Sequence, residues 1–318
     1  MRSEKSPQTA RSKKRIPAPQ GAKNIAAHRP VRPAAFPAGL PRLPPFYPTG
    51  SRGVFIVILT VDIGNTNIVL GGWEGDRLRF VSRMPTDRTR LRDGYAIALR
   101  DTLALYHHTF ADFDGAIVSS VVPQLLSVWK KALTYVLSDG KTQPIAGKVL
   151  TVSPGVKTGL NIRIDNPAQL GSDMVCVSVA ALAKYPAPSI VADLGTATKI
   201  SVLDRKGNMV GCAIMPGVMI GLEALSSRTA QLPQIDLDGD VRLIGTNTVD
   251  SMRSGIILGT ASMIDGMADR FREELGQDLT VVTTGGLSAE IVPHCRTKVI
   301  HDQDICLEGL RMIYEKNV

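Results

Sequence analysis

Cysteine and histidine are scarce in this chain of 318 residues, four and five respectively. Cys176, Cys212, Cys295 and Cys306 show no C-x-x-C spacing. That excludes a zinc site or a disulfide framework read from sequence and fits a reducing cytoplasm. His28, His107, His108, His294 and His301 likewise form no metal-ligand pattern. No apolar run approaches the about 20 residues of a membrane-spanning helix, so no membrane partner is expected. With 44% hydrophobic residues the chain is long enough for two cored domains of a soluble protein.

Acidic residues are nearly missing from one region. Residues 1–53 hold 11 of the 37 Lys and Arg against the single acid Glu4, a balance of +10 that leaves −2 for the rest of a chain whose total is +8. The basic character therefore belongs to a tail, and no nucleic-acid partner is expected. The same stretch carries 10 of the 20 prolines, and its composition cannot bury enough surface to offset chain entropy. Residues 1–56 are expected to be a disordered Pro/Arg-rich extension. Proline breaks the amphipathic helix that a targeting peptide needs; a further reading sets the start near Val57 and makes the upstream stretch an accessory extension.

What is present is a pair of short loops 131 positions apart, Val61-Asp62-Ile63-Gly64-Asn65-Thr66-Asn67 and Ala192-Asp193-Leu194-Gly195-Thr196-Ala197-Thr198. Apolar runs flank both, so each reads as strand, turn, strand. Glycine lets the backbone approach a ligand, successive N–H groups form an anion nest, and the carboxylate can hold a cation against phosphates. Asp before Gly also stabilises ordinary bends. Two copies, with Thr66 and Thr196 in matching places, favour a nucleotide bound between related halves.

Strands are expected at 55–62, 66–72 and 77–83, a helix over Asp93 to His107, a strand over Asp112 to Val122 and a helix from Pro123. A strand at Lys148 to Val152 and a helix from Pro167 to Lys184 complete the first half. The second half repeats the order with strands at 188–193, 198–204 and 209–214, helices from about 217 and 247, and a strand at Leu279 to Thr284. The implied fold is α/β: two duplicated RNase H-like domains, 57–184 and 185–318, with a nucleotide cleft between them. A third small-residue motif, Thr283-Thr284-Gly285-Gly286-Leu287-Ser288, opens a helix, where glycine permits close approach of a nucleoside or phosphate.

Phosphoryl transfer asks for positioning, charge neutralisation and a base for the attacking hydroxyl. Asp62 and Asp193 suit neutralisation through a cation. Asp173 is the candidate base. It stands among Leu170, Met174, Val175 and Val177, where a carboxylate is either paired or desolvated so as to favour taking a proton; a buried cap or salt-bridge role is the competing use.

From about Val57 to Asn317 the chain resembles the type III pantothenate kinases, through Asp62-Ile63-Gly64-Asn65-Thr66-Asn67, Asp193-Leu194-Gly195-Thr196-Ala197-Thr198, Thr284-Gly285-Gly286-Leu287 and Gly245 through Met252. The resemblance implies the acetate and sugar kinase, heat-shock protein and actin fold and a cytoplasmic homodimer. It also implies ATP-dependent phosphorylation of pantothenate to 4'-phosphopantothenate, the first step of coenzyme A synthesis, with Mg²⁺ and a monovalent cation, K⁺ or NH₄⁺. Carried over, Asp173 is the general base, with Gly171, Ser172 and Met174 beside it at the substrate. Asp62, Ile63, Gly64, Asn65, Thr66, Asn67, Ile68, Val69 and Thr196 grip ATP. Asp193 binds the monovalent cation, and Thr248 touches substrate.

Three positions depart from the family pattern. Met174 stands where Arg is common, Ile164 where an aromatic is common, and Lys199 where Thr is common. The Lys199 ammonium is expected to point to solvent; reaching the phosphates or replacing the monovalent cation are the other readings. The alternative function is a non-catalytic nucleotide-binding accessory or regulatory protein of the same fold.

Overall fold

A computed structural model describes residues 57–138 and 149–318. The expected extension at 1–56 and Lys148, the first residue of the strand expected at Lys148 to Val152, lie outside the described residues.

The first half opens with β1 (Val57–Ile63), β2 (Asn67–Glu74) and β3 (Arg77–Pro85), followed by α1 (Arg92–Leu105), β4 (Gly115–Ser120), α2 (Pro123–Leu137) and β5 (Val149–Thr151). A two-residue strand, β6 (Asn161–Ile162), precedes α3 (Ser172–Lys184). The second half runs β7 (Ser189–Leu194), β8 (Ala197–Leu203), β9 (Asn208–Pro216), α4 (Val218–Arg228), α5 (Thr248–Leu275), β10 (Thr280–Thr284), α6 (Ser288–Ile291), β11 (Val299–His301) and α7 (Ile305–Glu315).

The expected duplication appears in the two sheets, which also contain β6 and β11, strands not expected from the sequence. One sheet has the order β3-β2-β1-β4-β5, the other β9-β8-β7-β10-β11 with β6 added beyond β9. In both, the first three strands are antiparallel and the last two run parallel to the first. Each hairpin pair carries a register irregularity at its far end, at Gly72/Trp73 and Val202/Leu203.

Alternation along the strands decides what faces where. In β1, Leu59, Val61 and Ile63 pack with Tyr95, Leu99 and Leu103 of α1 and Leu125, Trp129 and Leu133 of α2. Ile58 points the other way, into a cluster with Val175, Cys176 and Val179 of α3 and Leu307, Leu310 and Ile313 of α7. In β7, Ile190, Ala192 and Leu194 pack on Ile257, Ala261 and Ile264 of α5, while Val191 joins Met174, Val177 and Ala181 of α3. Each fully buried Val, Leu or Ile contributes about 1.5–3 kcal/mol by leaving water.

α3 therefore packs against both halves, and its residues Asp173 through Ala181 are all buried. A helix apolar on every side is the expected solution for that position. α7 returns to pack on α3 and β1. Gly309 makes that approach feasible, since a Cβ there would lie 1.9 Å from the Cys176 carbonyl oxygen. The helix expected from Pro167 is broken: Pro167–Gln169 forms a short 3-10 turn, and α3 starts only after Gly171, whose backbone lies at φ −58°, ψ 137°. Asp173 consequently lies in the first turn of α3 rather than in its interior. No helix among the described residues is long and apolar enough to cross a membrane.

Candidate active site

The parity that buries Val61 and Ile63 sends Asp62 to the opposite face of its sheet, and the parity of β7 does the same for Asp193. Both carboxylates, with Asp173 from α3, line one cavity of about 750 Å³. Gly64, Asn65, Thr66, Asn67, Val69, Gly171, Met174 and Thr196 line it too, as do Thr284, Gly285 and Gly286 of the third motif. The two hairpin tips touch, with Thr66 Oγ1 and Thr196 Oγ1 2.8 Å apart in a hydrogen bond. Gly285, at φ +100°, is required by the packing of its turn: a Cβ would meet the Leu194 backbone at 2.6 Å.

Four of the expected site residues are placed differently. Ile63 and Ile68 are fully buried in the core against α1 and α2, so only their backbone can meet a nucleotide. Ser172 turns its hydroxyl away to the end of β4, where it accepts from Ser120 N at 3.0 Å and pairs with Ser119 Oγ at 2.9 Å. It ties the start of α3 to the first sheet. Thr248, the first residue of α5, lines a separate cavity of about 550 Å³ with Leu225 and Met252.

Lys199 does not point to solvent. It lies directly across the hairpin from Asp193, and its Nζ is 2.8 Å from Asp193 Oδ2. The same ammonium donates to Asp173 Oδ2, so one lysine bridges two carboxylates at the cavity wall. The other oxygen of Asp173, Oδ1, accepts from the Met174 N–H at 2.8 Å. Asp173 is thus paired, and only 7% exposed. Burial opposes the charge on Lys199, but the carboxylates of Asp193 and Asp173 outweigh it and raise its pKa. Asp193 is itself raised by burial against the pull of Lys199.

Asp62 has no such partner. Its cross-strand neighbour is Val69. Burial, reinforced by the charge of Asp173, pushes it up to about 7, with a hydrogen bond from Ser119 working the other way. A carboxylate left this way is suited to a cation that arrives with a ligand. Among the described residues no group of three or more His, Cys, Asp or Glu could hold a metal ion by itself. Asp62 would hold a divalent ion only with the help of ligand oxygens. A free monovalent cation at Asp193 does not fit, because the Lys199 ammonium takes that place.

Sequence reasoning missed Arg83. It lines the cavity from β3, opposite Val69 in the register. Its signal was the strand count outward from the turn, which puts 62, 69 and 83 side by side. Ile164 and Met174 both line the cavity, so the departures from the family pattern lie at the site itself.

Residues 58–270 match the family described as type III pantothenate kinase. A type III pantothenate kinase of an Exiguobacterium species is 40% identical over 261 residues, covering 82% of this chain and 99% of that protein. One from Rubrobacter xylanophilus is 41% identical over 267 residues, covering 82% and 98%. Among solved structures, MreB 5 of Spiroplasma citri bound to AMPPNP aligns with a TM-score of 0.47 at 8% identity, over 82% of this chain and 96% of that one. With the family matched across more than half its length and curated relatives matched nearly end to end, the chain belongs to the type III pantothenate kinase family.

Proposed function

We propose that this chain phosphorylates the primary hydroxyl of pantothenate with ATP, giving 4'-phosphopantothenate and ADP for coenzyme A synthesis. The observation that carries the proposal is the meeting of three carboxylates, one from each hairpin and one from α3, around a single cavity. Membership of the family supplies the substrate.

In this proposal the loop from Asp62 to Val69, with Thr196, holds the ATP phosphates, and Asp62 would hold the Mg²⁺ that supplies charge neutralisation there. The hydroxyl oxygen forms its bond to the γ-phosphorus as the bond from that phosphorus to the bridging oxygen breaks, and the hydroxyl proton passes to Asp173. Such transfers demand orientation more than a strong base, which suits a carboxylate clamped by Met174 N–H and Lys199. Gly171 and Met174 flank the acceptor. Arg83 offers the substrate's carboxylate the positive charge that Met174 lacks.

A homodimer belongs to the same proposal. Met219, Ile220 and Leu225 on α4, together with Leu243, Ile244 and Val249, are exposed apolar side chains, and Leu225 lines the Thr248 cavity, a pattern typical of an interface. Thr248 would then serve substrate from the partner subunit rather than from its own. The deciding experiment is ADP release followed with Mg²⁺, ATP and pantothenate. ADP release that depends on pantothenate is expected; none with any added salt would favour a nucleotide-binding accessory protein.

A further inference from the structure

We propose that Lys199 is a tethered cation: its ammonium permanently fills the place between Asp173 and Asp193, so the protein needs no free monovalent cation there. The proposal rests on the kinase activity above for one arm of its test and on folding alone for the other.

Two carboxylate oxygens, Asp173 Oδ2 and Asp193 Oδ2, converge on one Nζ. Without a cation between them, two adjacent like charges, one of them buried, would repel in a poorly screened environment. One of the carboxylates comes from α3 and the other from β7, so the ammonium fixes their relative position. Lysine arrives there by register. The first hairpin pairs Ile63 with Ile68, leaving four loop residues; the second pairs Leu194 with Thr198, leaving three. Side chains alternate with period two, so one residue fewer in the loop exchanges the faces. Ile68, six residues after Asp62, is buried in the core, whereas Lys199, six after Asp193, faces the cavity, and the core position passes to Ile200.

An ammonium has three N–H donors, and the two carboxylates use two. The third is free to meet an anionic oxygen in the cavity. Lys199 is therefore a positioning residue for Asp173 that carries the charge a solvent ion would otherwise supply. Hydration and coordination number no longer matter, because the cation is covalently attached and cannot exchange.

The test compares K⁺, NH₄⁺ and tetramethylammonium as the sole monovalent cation, for the full chain and for Lys199→Ala. The unaltered protein is expected to turn over pantothenate within about twofold in all three salts. Lys199→Ala should lose roughly tenfold or more in tetramethylammonium and regain much of it in K⁺ or NH₄⁺. Thermal unfolding provides the second readout: K⁺ should raise the midpoint of Lys199→Ala relative to tetramethylammonium and leave that of the unaltered protein unmoved. A strict K⁺ requirement of the unaltered protein overturns the proposal, as does a folded Lys199→Ala whose midpoint ignores K⁺. Absence of pantothenate turnover in every salt counts against the kinase function instead, and the unfolding comparison then decides the role of Lys199.

Discussion

The two hairpins have the same topology and opposite electrostatic solutions. Across the strands of the first run Asp62, Val69 and Arg83; across the second run Asp193, Lys199 and Ile214. The positive charge thus stands two strands from the carboxylate in one half and on the adjacent strand in the other. Asp62 is left unpaired and pushed up to about 7, while Asp193 shares an ammonium with Asp173. A duplicated fold need not duplicate chemistry. One carboxylate has no ammonium beside it, and the other is satisfied within the chain.

The most damaging change is expected where the second solution meets the acceptor. Asp173→Asn keeps the shape of α3 but removes both the proposed proton acceptor and one arm of the Lys199 bridge. Loss of a positioned base costs about 10²- to 10⁴-fold in kcat. Single-turnover measurements beside ATP-binding titrations should show turnover lost and ATP affinity kept, because the proposed ATP contacts come from the hairpin tips rather than from α3. Unchanged turnover would remove Asp173 from the chemistry.

Next in size is a direct attempt to make the first hairpin imitate the second. Val69→Lys would set an ammonium across from Asp62, as Lys199 is set across from Asp193. The paired Asp62 should no longer serve a divalent ion. Without that charge-assisted interaction, MgATP binding should weaken by about 10- to 100-fold. The substituted protein should also melt higher, since a desolvated carboxylate gains a partner. Isothermal titration and thermal unfolding measure the two effects; tight MgATP binding by Val69→Lys would break the contrast between the hairpins.

Much of this arrangement is legible in the sequence, and what is not has a physical reason. The hairpins and their duplication are legible because Asp, Gly and small polar residues between apolar runs are local signals. The break before α3 is less so: Pro167 suits a helix start, yet the backbone is extended at Gly171 and the helix begins again at Ser172, whose hydroxyl reaches Ser120. α7 packs on the first sheet from the end of the chain, a tertiary fact with no local mark. The orientation of Lys199 is hidden because motif alignment puts it level with Ile68. Only the loop length, one residue shorter, reveals that it faces Asp193.

A smaller effect, but one that separates the hairpins without mutation, comes from pH. Asp62 has a folded value of about 7 against 3.8 unfolded, so between about pH 4 and 7 the folded chain keeps a proton that the unfolded chain has lost. Stability therefore falls as pH rises through that window, by at most about 4 kcal/mol and by less where cavity water screens the group. Activity should run the other way. Below about pH 7 the carboxylate is protonated, and the KM for MgATP should rise by about tenfold between pH 8 and 6. Asp62→Asn should flatten both trends; a stability profile unaffected by that substitution would contradict the unpaired state of Asp62.

The least change is expected where the hairpins cooperate. Thr66 and Thr196 share a single hydrogen bond of 2.8 Å, and both are exposed at the cavity mouth. Water replaces such a bond readily, so its net worth is about 0.5–1.5 kcal/mol and should fall at the lower end. Thr66→Val, Thr196→Val and the double substitution form a cycle in which the coupling, rather than either single loss, reports the link. If the tips meet only to frame the nucleotide phosphates, that coupling should be small in thermal unfolding of the free protein and grow when MgATP is bound. A coupling equally large without nucleotide would mean that the two hairpins are locked together before any ligand arrives, and that their differing charges act on a rigid cleft.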